Sequence, residues 1–131
     1  MAAAYKNSAG YKANLVIINC GTNDANLGID LQNAGERMRV MLNDIWSTPG
    51  MSATCVMLST VLPTLDPNVS RNRGVINDRY RALVAELSRA GKCIYLADME
   101  AAPGWINPSV DMADGTHPNV SASTCFTKSK D

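Results

Sequence analysis

One histidine occurs in the 131 residues, and it stands in Asp114-Gly115-Thr116-His117-Pro118-Asn119. Imidazole is the one side chain that ordinarily titrates near neutrality, which suits it to general-base work. Asp114 precedes it by three residues, across a turn opened by Gly115 and fixed by Pro118. A carboxylate so placed can reach the Nδ1–H, set the tautomer and leave Nε2 free to take a proton. The same hexapeptide also reads as a surface histidine beside an acidic turn. A second group is Gly21-Thr22-Asn23-Asp24. Its glycine suits a tight turn, and the Asn23 carboxamide can donate an N–H to a developing oxyanion. Where an asparagine does this in a hydrolase, the bond contributes about 3 kcal/mol. The plainer alternative is an Asx-turn that only shapes the loop.

Both groups need a scaffold, and the hydrophobic pattern supplies one. Leu15 to Cys20, Cys55 to Val61 and Cys93 to Ala97 are continuous apolar, β-branched runs, closed by Gly21, Pro63 and Asp98. Such runs read as strands buried on both faces. Two helical faces separate them. Ala34, Met38, Met41, Leu42, Ile45 and Trp46 share one face, with Asp30 as N-cap and Pro49-Gly50 as the stop. Ile76, Tyr80, Leu83, Val84 and Leu87 share another, with Gly91 at its C-terminal end. Strand, helix, strand, helix, strand predicts a parallel α/β sheet, in which functional groups collect at the carboxyl ends of the strands. The Gly21 block, residues 63–68 and the loop from Met99 to Pro118 all fall there. Residues 120–131 read as a mobile Ser/Thr-rich tail.

Composition narrows the classes. Hydrophobic residues make up 46 % and charged residues 18 %, a globular balance that suits one domain. Twelve basic and twelve acidic residues cancel, which argues against a general nucleic-acid binder. No apolar run approaches a membrane span, and the N-terminus has no signal-peptide pattern. Cys20, Cys55, Cys93 and Cys125 lack CxxC spacing, so neither a metal site nor a redox motif is expected. Three of them lie in or beside apolar runs, where free cysteine behaves as a small buried hydrophobe. The triplets at Asn68 and Asn119 are glycosylation sequons that matter only in a secreted chain. The arginines from Arg71 to Arg89 read as a solvated helix face.

A strand ending in Gly21-Thr22-Asn23-Asp24, two βα repeats and then Asp114-Gly-Thr-His117-Pro-Asn resembles the SGNH hydrolases, the GDSL-like lipases and esterases. The resemblance covers about residues 12–119. Tyr11 to Asp24, Leu58 to Pro63 and Leu96-Ala97-Asp98 look particularly like fungal secreted members, which include esterases that deacetylate plant polysaccharides. It implies a three-layer α/β/α sandwich with a flavodoxin-like parallel sheet, incomplete here at about three strands and two main helices, over residues 1–119. It implies ester hydrolysis by a Ser-His-Asp mechanism without metal or organic cofactor, on a small acyl ester or acetylated carbohydrate, outside the cell. Asn23 matches the oxyanion-hole asparagine, Gly21 and Asp24 shape its block, His117 matches the general base and Asp114 its orienter. The family places a Gly-Asp-Ser nucleophile block, and a second glycine block, before the strand matching Leu15. Only fourteen residues precede Leu15 here, and no Gly-Asp-Ser occurs in the sequence. Ser8 and Ser59 are poor substitutes, and residues after Asn119 lack the pattern of the family's closing helix. A catalytically inactive truncated product or binding remnant is therefore an alternative, and a flavodoxin-like small-molecule binder a weaker one. Two crossovers stepping the same way across a sheet place both helices on one face. That predicts an uncovered apolar face and an unpaired edge at Leu15.

Overall fold

A computed structural model of the chain describes residues 14–100. Three strands, β1 (Leu15–Ile18), β2 (Cys55–Ser59) and β3 (Ile94–Ala97), pair in parallel in the order β1-β2-β3. Helix α1 (Thr22–Leu27), one 3₁₀ turn (Leu31–Asn33) and helix α2 (Ala34–Ser47) connect the first two strands. Helix α3 (Pro67–Arg89) connects the last two. The architecture is the parallel α/β arrangement expected of part of a flavodoxin-like SGNH fold.

The strands are covered on one face. Ile18, Val56, Leu58 and Ile94 join Met38, Leu42 and Ile45 of α2 and Ile76, Leu83 and Leu87 of α3 in one core cluster. The alternate side chains do not. Leu15 is 50 % exposed, Ile17 52 % and Tyr95 58 %. Register explains it, because Ile17, Met57 and Tyr95 are cross-strand partners and so share the other face. The expectation of strands buried on both faces is therefore corrected for the described residues. The expectation of an open face, and of no strand paired to the outer edge of β1, describes these residues better.

Helix α3 starts far earlier than its apolar face suggests. Asp66 caps it, accepting from the backbone N–H groups of Asn68 (2.8 Å) and Val69 (3.4 Å), and Pro67 takes the first helical position. Pro67 and Asn68, expected in the segment after β2, are thus its first residues, and fully buried Val69 anchors its first turn. Gly91, at φ 89°, ends the helix as expected, and the Lys92 N–H closes back onto Leu87 O at 3.0 Å. At α2 the cap differs from expectation. Asp30 opens the 3₁₀ turn, Asn33 occupies the N-cap position, and neither makes a side-chain cap. The Asp30 carboxylate instead accepts from Asn33 Nδ2 (2.7 Å) and Arg37 Nη1 (2.9 Å).

Cys55 and Cys93 form a disulfide, with Cα atoms 4.6 Å apart. The reading of both as isolated buried thiols is corrected. Each immediately precedes a paired residue, Val56 opposite Ile94, so register brings the two sulfurs together at the amino end of the open face. The expected domain span 1–119 and tail 120–131 run into residues outside those described.

Candidate active site

The chain leaves β1 through Asn19, Cys20 and Gly21 and turns at once into α1. Gly21 adopts φ 116°, a region open to glycine and strained for other residues. A Cβ there would also lie 2.9 Å from Val61 Cγ2 and 3.3 Å from Tyr80 Oη. Glycine is required by conformation and by space together. The Gly-Thr-Asn-Asp block, expected as a tight turn, is the first turn of a short helix. Gly21 O accepts from Ala25 N at 2.9 Å, and Ala25 is fully buried.

Asn23 is the second residue of α1 and is exposed. Its carboxamide makes no hydrogen bond among the described residues. The Asp24 carboxylate is committed, since Arg37 Nη2 lies 3.3 Å from its Oδ2. That pair ties α1 to α2, consistent with a shaping rather than a proton-transfer role.

Three side chains of α3 hold this block, and the sequence reading missed their part in it. Tyr80 Oη donates to Cys20 O at 3.4 Å and lies 3.9 Å from Cys20 Sγ. Asn72 Nδ2 donates to Ala25 O at 2.7 Å. Ile76, between them on the same face, packs under Gly21. Burial pushes both the Tyr80 hydroxyl and the Cys20 thiol above their ordinary pKa values. Cys20 is therefore a neutral thiol and a poor stand-in nucleophile. The spacing Asn72, Ile76, Tyr80 was a visible signal, four residues apart along one helix face.

At the exits of β2 and β3 the backbone is equally constrained. Thr60 N donates to Ala97 O at 3.1 Å, and Thr60 Oγ1 accepts from Met99 N at 2.9 Å. Ser59, 7 % exposed, spends its hydroxyl on Thr60 O at 2.8 Å, so it is not presented to a substrate. Arg73 and Arg81, expected on a solvated face, are only partly exposed and pair with Asp98 and Glu100. Asp114 and His117 lie outside the described residues, as do Ser8 and Asn119. Among the described residues no group of three or more acidic, cysteine or histidine side chains could hold a metal. No helix among them is long and apolar enough to cross a membrane.

The sequence model of the GDSL-like lipase/acylhydrolase family matches residues 1–123. The chain belongs to that family. No curated protein sequence matches it. Membership accounts for the parallel sheet with its candidate loop at the carboxyl end of β1, and it makes ester hydrolysis the family's chemistry.

Proposed function

We propose that this chain carries the base and oxyanion half of a serine-esterase site acting on short acyl esters. In this reading a serine attacks the ester carbonyl while His117 Nε2 takes its proton. Asp114 steadies the imidazolium, and the Asn23 carboxamide donates to the oxyanion. Collapse of the tetrahedral intermediate expels the alcohol, which His117 protonates, and water then releases the acid by the same steps. Acetylated plant polysaccharide is the substrate class we favour, from the similarity of residues 11–24 to fungal secreted members. The carrying observation is Asn23, exposed at the exit of β1 and without a hydrogen-bond partner among the described residues, on a turn that only glycine can make.

The serine is not in a Gly-Asp-Ser block within these 131 residues. The chain alone is therefore expected to show no serine-dependent hydrolysis of p-nitrophenyl acetate. Turnover abolished both by His117→Ala and by a serine-directed phosphonate would contradict this. A second reading, an inactive remnant that binds through its sheet, is favoured by the exposed Leu15, Ile17 and Tyr95. A cooperative melt without binding of an apolar-surface dye would remove it.

An extracellular or otherwise oxidising location is proposed from the family resemblance and supported by the Cys55–Cys93 disulfide. Counting reactive thiols in denaturant, before and after reduction, tests the bond; an unchanged count would refute it.

A further inference from the structure

Helix α1 carries Asn23 but buries little to hold it in place. Six residues make a helix too short to persist alone, so contacts must fix its position. Ala25 is its one buried side chain, and Leu27 is exposed. Burial of a single methyl is non-directional and leaves rotation about the helix axis open. That rotation is what aims Asn23, the second helical residue.

Three polar contacts with the helices behind it can set the angle. At the entrance, Tyr80 Oη donates to Cys20 O at 3.4 Å, a long bond. On the flank, Arg37 Nη2 lies 3.3 Å from Asp24 Oδ2, but both side chains are exposed, and such pairs contribute little. At the far end, Asn72 Nδ2 donates to Ala25 O at 2.7 Å. Gly28 turns left-handed there, at φ 66°. The Ile29 N–H, which a continuing helix would bring to Ala25 O, goes instead to Asp24 O at 3.3 Å. Asn72 supplies the missing donor from α3, and its bond is the shortest of the three. A Cβ on Gly28 would lie 3.4 Å from the same Nδ2, so the turn closes against the amide.

We propose that Asn72 is a positioning residue for the oxyanion donor. It locks the C-terminal end of α1 to α3 and so sets the rotation that directs the Asn23 carboxamide. The proposal rests on the reading of Asn23 as that donor.

Nuclear magnetic resonance of the full chain tests the two separately. Residual dipolar couplings of the α1 N–H groups report the direction of the helix. An acetate titration followed at the Asn23 carboxamide reports the donor. Asn72→Asp keeps the shape and exchanges the donor for an acceptor. Its melt should stay cooperative while the α1 couplings fall by roughly a third or more, as averaging over a wider range of orientations requires. Those of α3 and β2 should hold. Acetate binding at Asn23 should weaken about fivefold, the loss expected of one misdirected hydrogen bond. Asn72→Ala should do the same. Arg37→Ala should change both readings by less, and Arg71→Ala, an exposed neighbour on α3, should change neither. In the unaltered chain, an Asn72 Nδ2 proton should exchange with solvent at least about tenfold more slowly than those of exposed Asn26. Should neither Asn72 variant fold, that rate decides: slow exchange supports the lock and exchange as fast as Asn26 overturns it. Unchanged couplings in the folded variants, or a larger effect of Arg37→Ala, overturn the role of Asn72 while acetate still binds. An unaltered chain whose Asn23 carboxamide ignores acetate overturns the oxyanion reading itself.

Discussion

The two ends of the sheet are held by different forces. At the amino end, the Cys55–Cys93 disulfide joins β2 to β3, and Trp46 packs alongside, its Nε1 donating to Thr54 O at 2.8 Å beneath Lys92. At the carboxyl end, side chains of α3 grip the backbone that follows the strands: Tyr80 on Cys20, Asn72 on Ala25 of α1, Asn77 on Val61. A covalent bond and apolar packing mainly resist unfolding. Hydrogen bonds to backbone contribute less energy apiece but fix orientation. The candidate catalytic loops leave the sheet at the second end, where position matters more than strength.

The contrast can be broken from either side. Removing the disulfide with Cys55→Ala and Cys93→Ala should have the largest effect on stability. The bond closes a loop of 38 residues, for which chain entropy predicts a loss of about 4 kcal/mol. Denaturant melts measure that loss, and the Asn23 resonances should stay where they are. Gly21→Ala should come next, at about 3 kcal/mol, since it combines a strained φ with a Cβ 2.9 Å from Val61. Unlike the disulfide variant, it should displace the Asn23 signals. Asn77→Ala should cost about 2 kcal/mol by leaving the buried Val61 N–H unpaired.

The smallest effect concerns alkaline pH. Burial raises the pKa of the Cys20 thiol and of the Tyr80 hydroxyl in the folded chain. Above about pH 9 the unfolded chain has begun to release these protons while the folded chain still holds them. Stability from this source is complete below that range and falls as the pH rises through it. Denaturant midpoints at successive pH values should show the decline, and Cys20→Ala should flatten its first part.

What the sequence disclosed follows from which forces leave a periodic trace. The three strands are legible because Leu15–Ile18, Cys55–Ser59 and Ile94–Ala97 are compact β-branched or apolar runs between breakers. Both long helices show through spacings of three and four residues. The opening of α3 was hidden because residues 70–74 are polar or glycine, although Asp66-Pro67 carried the capping signal. Helix α1 was hidden because Gly21-Thr22-Asn23-Asp24 fits a turn equally well until Ala25 is known to be buried. The disulfide depends on register between strands 38 residues apart, which no local pattern encodes. Asn77 looks like any polar residue of an amphipathic helix until its partners across the sheet are seen. Of the candidate site, the Gly21–Asp24 block could be read directly from residue types, whereas the side chains that hold it could not.

In the proposed function Asn23 and His117 act on one small acyl group. Titrating the full chain with acetate, the acid such a reaction releases, tests it most directly. Saturable shifts of the Asn23 carboxamide and the His117 ring that fit one dissociation constant are expected, with loss of the His117 shift in Asn23→Ala. Shifts at only one of the two, or two unrelated constants, would contradict it.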